Sequence, residues 1–203
     1  MNAQEIQFAA TRPDFAAIAA WIPKGASVLD LGCGDGSLLR YLQETRSVRG
    51  YGVEISDLDI VSCIANGVNV IQNDLDAGLA DFEDNSFDFV ILSQTLQATR
   101  YTAAVIREML RVGREGIVSF PNFGHWRNRL DILRGTMPIT RELPYQWYDT
   151  PNVHLCTLRD FEDFCRDHRV AVLERRVMTG ERKVTILPNL RGAMAVYRFQ
   201  RAL

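Results

Sequence analysis

Lysine is almost missing from this chain, which has it only at Lys24 and Lys183, so arginine carries nearly all of the 23 basic charges. We read that bias as compositional. Set against 25 acidic residues the basic charges leave a net charge of −2, and no basic stripe is interleaved with aromatics. That excludes a general nucleic-acid binder. Cysteine is scarce too: Cys33, Cys63, Cys156 and Cys165 are scattered and form no C-x-x-C pair. A disulfide framework and a structural zinc site are therefore not expected, and we expect no bound metal. No apolar run approaches the roughly 18 residues that would suggest a membrane span. Met1-Asn2-Ala3-Gln4-Glu5 lacks the basic start and apolar stretch of a secretory leader. These absences point to reducing cytoplasm. Repeats, low-complexity tracts and interdomain linkers are also absent, so residues 1–203, 47% hydrophobic, read as one domain with a sizeable core.

What is present is an alternation of apolar runs with helical patterns, the signature of a parallel sheet covered by helices. Strands are expected over about 27–31, 49–54 and 69–73, then over 87–92 and 116–120. Helices are expected over about 13–21, 57–65 and 102–112. Past a long irregular stretch, 158–168 reads as a helix. The alternating runs 170–177 and 193–199 then read as an antiparallel pair at one end of the sheet.

One segment stands out. Val28-Leu29-Asp30-Leu31-Gly32-Cys33-Gly34-Asp35-Gly36 carries an apolar strand into a glycine-rich turn, and Ser37 to Leu42 continues as a helix. Gly32 and Gly34 let backbone turn tightly and approach a ligand, and the helix start offers unpaired N–H groups. Tyr51-Gly52-Val53-Glu54 ends the next strand in a carboxylate. Such a group accepts hydrogen bonds from both hydroxyls of a ribose. Strand, turn, helix and acid together indicate a nucleotide-like ligand.

The spacing is G-x-G-x-G behind Asp30, not the G-x-G-x-x-G of dinucleotide sites. It resembles the first motif of class I S-adenosylmethionine (SAM)-dependent methyltransferases. The resemblance implies their Rossmann-like α/β fold, with seven strands, mostly parallel, and an antiparallel last strand. It also implies SAM or S-adenosylhomocysteine as ligand. Asp30 then suits the cationic amino group of the methionine moiety. Asp74, closing the third strand, stands where the family meets the adenine amino group, with Leu75 against the ring. The expected cofactor set is Asp30, Gly32, Cys33, Gly34, Gly36, Glu54, Ile55, Asp74, Leu75 and Ser93, with Cys33 a small packing residue rather than a nucleophile.

No catalytic group is evident. After the fourth strand come Ser93-Gln94-Thr95-Leu96-Gln97, without the N-P-P-Y or Pro-Cys pairs of well-known acceptor sites. Ser93 and Gln94 suit either a polar acceptor or a strand cap. The unusual region is 121–157, far longer than an ordinary strand-to-helix connection. It holds two of the three tryptophans and two of the three histidines, a density that marks a lid or a partner surface. Trp126, Leu130 and Leu133 recur at the spacing of a short amphipathic helix. His125, Trp126, Arg129, Trp147, Tyr148 and His154 are the candidate contacts, although either histidine alone also suits a packing role.

Pro-Asn-Phe-Gly-His-Trp-Arg-Asn-Arg (121–129) and Leu-Pro-Tyr-Gln-Trp-Tyr-Asp-Thr-Pro-Asn-Val-His-Leu-Cys-Thr (143–157) are more specific. With the glycine loop and Gly-Val-Glu-Ile (52–55), they resemble the MetW family of methionine biosynthesis proteins over nearly the whole chain. That resemblance implies action with the homoserine O-acyltransferase MetX and names no methyl acceptor. It favours a SAM-binding accessory subunit that regulates the acyltransferase. A working methyltransferase on a small cytosolic metabolite is the alternative.

Overall fold

The computed structural model describes residues 12–202, so the leader reading at Met1–Glu5 lies outside it. Eight strands form one sheet: β1 (Ser27–Leu31), β2 (Arg49–Glu54), β3 (Val70–Gln72), β4 (Phe87–Ser93), β5 (Gly113–Pro121), β6 (Val170–Thr179), β7 (Arg182–Lys183) and β8 (Met194–Arg201). Their spatial order is β3-β2-β1-β4-β5-β8-β6-β7. The first five run parallel to one another, whereas β8 runs antiparallel to both β5 and β6. This is the expected mixed sheet with one addition. The chain turns at Gly180, with φ of 56°, and β7 pairs with the end of β6 as an eighth strand.

Seven helices accompany the sheet among the described residues: α1 (Pro13–Ala19), α2 (Ser37–Arg46), α3 (Asp57–Ala65), α4 (Thr102–Val112), α5 (Trp126–Leu133), α6 (Leu158–Asp167) and α7 (Pro188–Arg191). Their limits follow local chemistry. Ser56 caps α3 by accepting from Asp59 N, and Thr157 forms a capping box with Asp160 at the start of α6. None is long and apolar enough to cross a membrane.

Strand alternation divides the core into two layers. Val28, Phe89, Ile91 and Ile117 face α1 and α2, packing with Phe15, Ile18, Leu39 and Leu42. Leu29, Leu31, Val90, Leu92 and Val118 face α4 and α6. There Phe161 lies 4.7 Å from Tyr197 and 5.0 Å from Phe120, ring centre to ring centre. By parity, Asp30 shares the face of Val28 and is buried under α1 and α2.

Arg111 on α4 fastens the loop before β4. Its guanidinium donates to Leu79 O at 2.8 Å and Phe82 O at 2.8 Å, and pairs with Asp84 at 2.7 Å. Arg111→Met leaves both carbonyls short of a donor. We expect a loss of about 1–2 kcal/mol in urea unfolding; an unchanged midpoint would show that water replaces the guanidinium without cost.

Candidate functional site

The turn after β1 is held by β2. Gly32 N and Cys33 N both donate to Val53 O, at 2.8 and 3.1 Å. Gly32 has φ of 64°, and a Cβ there would come within 2.5 Å of Thr95 Cγ2. At Gly34, with φ of 54°, an added Cβ would meet nothing within 4 Å, so this side of the loop is open. Cys33 Sγ lies 3.6 Å from Cys63 Sγ, and burial first, then the charge of Asp30, pushes its thiol pKa far up. A thiol so held is a packing group.

Glu54 is more engaged than its sequence reading suggests. One carboxylate oxygen accepts from Gly34 N at 2.9 Å; the other accepts from Ile55 N at 2.8 Å and Ser56 N at 3.0 Å. The side chain therefore shapes the glycine loop and the start of α3, with only part of its acceptor capacity left over.

A cleft of about 290 Å³ opens at the C-terminal ends of β1, β2 and β4. It brings together Gly32, Glu54, Ile55, Asp74 and Leu75, joined by Gln94 and Thr95 from the loop after β4. Asp74 Oδ1 also caps the 3₁₀ turn Leu75–Ala77 by accepting from Asp76 N at 2.9 Å. Of the expected cofactor set, Asp30, Cys33, Gly34, Gly36 and Ser93 do not line this cleft.

Beneath the cleft is an acidic cluster. Asp30 is 1% exposed and its Oδ1 has no hydrogen-bond partner among the described residues. Burial pushes its pKa up to about 7; the Arg12 charge opposes this, and Glu54 and Asp14 add to it. Asp14 is equally buried, yet it stays below the ordinary carboxylate range. Burial would raise it, but Arg12 pairs with it at 2.9 Å, and Ser93 and Gln94 hydrogen-bond to it. Ser93 thus serves Asp14 from below, also touching Ser119 at 3.2 Å. Arg12 and Asp14 were not anticipated, because a charged pair at a helix start reads as surface capping.

The 121–157 stretch splits. Its α5 is the expected short helix, but the apolar stripe faces outward: Trp126 is 45% and Leu133 84% exposed, while Asn128 is buried. The polar side wins the interior because Asn128 donates to Asn122 O and Phe123 O, both at 3.3 Å. Arg129 Nε donates to Gly124 O at 2.6 Å. His125 is buried beside Trp126, and desolvation lowers its pKa. Farther on, Val153 N and His154 N donate to Gln97 O at 2.8 and 3.0 Å, and the His154 ring reaches Arg100 O at 3.2 Å. Trp147 and Tyr148, both about 70% exposed, meet edge to face. His125 and Trp126 line one large groove, whereas Trp147 lines a separate small cleft, so the six candidate contacts do not converge on one spot. Among the described residues no group of three His, Cys, Asp or Glu is placed to hold a metal ion.

Comparison with known proteins identifies the family. Residues 12–199 match the family described as methionine biosynthesis protein MetW. The chain belongs to the MetW family. It is 37% identical over 194 residues to the bifunctional methionine biosynthesis protein MetXA/MetW of Rhodopirellula baltica. That match covers 89% of this chain but 31% of the relative, so the chain spans about a third of the relative's length. Among solved structures, a SAM-dependent methyltransferase from Mesorhizobium loti superposes with a TM-score of 0.69, at 19% identity over 96% of this chain and 99% of the other. The [4+2]-cyclase SpnF superposes with a TM-score of 0.67, at 16% identity over 97% and 83%. These likenesses establish the class I methyltransferase fold for this MetW-family chain. Since one of the two is named for a cyclisation, the fold alone does not fix a reaction.

Proposed function

We propose that this chain binds SAM, or S-adenosylhomocysteine, in the cleft at Gly32 and Glu54, and acts as an accessory subunit of a homoserine O-acyltransferase of the MetX kind. The single observation behind the partner is the relative at 37% identity, whose name joins MetXA and MetW in one protein. The ligand reading draws support from charge. Asp14 pairs with the Arg12 guanidinium, Asp30 lies within reach of its charge, and Glu54 accepts only backbone N–H groups. Three buried carboxylates against one cation leave an acidic excess that suits a cationic ligand. The unpartnered Oδ1 of Asp30 and the open side of Gly34 fit such a group as well. Asp30 would serve the ammonium, Glu54 the ribose, and Asp74 with Leu75 the adenine.

When bound, SAM supplies an activated methyl group, but the residues facing that end favour binding over turnover. Ser93, where an acceptor would be gripped, is bonded to Asp14 at 3.0 Å, and Gln94 reaches the same carboxylate at 3.4 Å. A ligand that is the end product of methionine metabolism suits a sensor, provided that it binds two states of the complex unequally. The test is to purify the chain with the acyltransferase and assay acyl transfer with and without it, at several SAM concentrations. We expect a stable complex and a SAM-dependent acyl-transfer rate. No complex and no change in rate would refute the accessory role, while a discrete product labelled from methyl-labelled SAM would restore the methyltransferase reading.

A further inference from the structure

The β6–β7 hairpin and the loop after it belonged to no expected site, yet they wall a large groove. This groove, about 920 Å³, lies between that hairpin and α5. It gathers six cations, Arg127, Arg134, Arg141, Arg182, Lys183 and Arg191, against two carboxylates, Asp131 and Glu142. A local excess of four positive charges on a chain of net charge −2 means that charge is strongly segregated. Among the described residues, Arg127, Arg182, Lys183 and Arg191 form no ion pair, and Arg134 has only Asp131 at 3.8 Å. The four cations without an ion pair among the described residues outnumber the two carboxylates of the groove, and their mutual repulsion is relieved when an anionic surface arrives.

Charge is not the only feature. Trp126, Ile139 and Ile186 line the same groove and are 45%, 51% and 67% exposed. The Arg127 guanidinium sits over the Trp126 ring, 5.4 Å from its centre. A small anion has use for the cations but none for this apolar lining. Exposed tryptophan and arginine with aliphatic neighbours are the composition of interface anchors.

We propose that this groove is the docking site for an acidic segment of the acyltransferase, one that carries apolar side chains for Trp126 and Ile186. The proposal rests on the partner reading above and adds the face, the charge sign and the second wall. The experiment measures binding of the full chain to the purified acyltransferase by biolayer interferometry at 50 and 300 mM NaCl. Wild-type affinity is expected to fall about tenfold over that range, because the rim charges are screened. Arg182→Glu with Lys183→Glu should weaken binding by at least about tenfold at low salt, and Trp126→Ala should weaken it at both salts. Arg182→Gln with Arg191→Gln is the milder pair, and thermal melts confirm that every variant folds.

If wild type binds and all these folded variants bind equally well, the groove assignment falls while the partner reading stands. If wild type does not bind the acyltransferase at all, the partner reading falls and takes the groove assignment with it. Concentration-dependent self-association abolished by the same variants would give the groove to a second copy of this chain. Coenzyme A binding abolished by them would give it to a small polyanion. Either result overturns the proposal.

Discussion

Asp30→Asn is expected to make the ligand-free protein more stable and, at the same time, to weaken SAM binding by about thirtyfold. Both effects come from one buried carboxylate. Asp30 is raised from an ordinary 3.8 to about 7, chiefly by burial. Between those two values the folded state holds a proton that the unfolded state has released. Stability therefore falls as pH rises from about 4 to about 7, then levels off. At neutral pH this costs the ligand-free fold up to roughly 4 kcal/mol, which Asn avoids in part. For a domain of this size each kcal/mol moves Tm by about 2–4 °C. Binding has the opposite sign. A cationic ligand needs the ionised form, so wild-type affinity should rise about eightfold between pH 6 and 7.5, with a proton released. Asp30→Asn removes that slope together with some 2 kcal/mol of charge-assisted attraction. Calorimetry in two buffers of different ionisation enthalpy measures affinity and proton release together, and scanning fluorimetry gives Tm. A variant with unchanged Tm and an unchanged pH slope would remove Asp30 from the site.

Much of this arrangement was legible in the chain. The limits of β1, β2, α3 and α4 follow from period-2 and period-3.6 patterns bounded by glycine and capping residues, signals that act within a few residues. The glycine loop and Glu54 were legible for the same reason. Other features depend on what meets what. The stripe Trp126, Leu130, Leu133 has the spacing of a buried helix face, but spacing does not say whether a core or a partner covers it. Only the bonds of Asn128 to Asn122 and Phe123 show which side turned inward. β7 is two residues long and carries no periodicity. The contact of the Arg12–Asp14 pair with Ser93 joins groups 81 and 79 positions apart, a tertiary fact without a local signature. Even Glu54 was half legible. Its position suggests a ligand contact, while its three backbone partners make it a builder of the loop, so Glu54→Ala would confound loss of the proposed contact with loss of the loop.

Gly32 offers the cleaner dissection of that loop, and Gly32→Ala should destabilise the protein by about 2–4 kcal/mol and abolish measurable SAM binding. Two separate penalties meet there. The φ of 64° costs an L residue on the order of 1 kcal/mol by itself. The new Cβ also comes within 2.5 Å of Thr95 Cγ2 and 2.9 Å of Thr95 Oγ1, closer than any side chain tolerates, so loop or threonine must move. Thr95 is not free to yield, because its single hydroxyl proton is held between Ser93 O at 3.1 Å and Gly32 O at 3.3 Å. Thr95→Ala removes both offending atoms, so the double variant should recover about 1–2 kcal/mol relative to the sum of the single variants. The φ penalty remains, and so should most of the binding defect, because Gly32 and Thr95 both line the cleft. Urea unfolding of the four proteins measures the coupling, and calorimetry follows the ligand. Strict additivity would mean that the loop shifts away from Thr95 on its own. The close fit between the β1 turn and the β4 loop would then not be what fixes the mouth of the cleft.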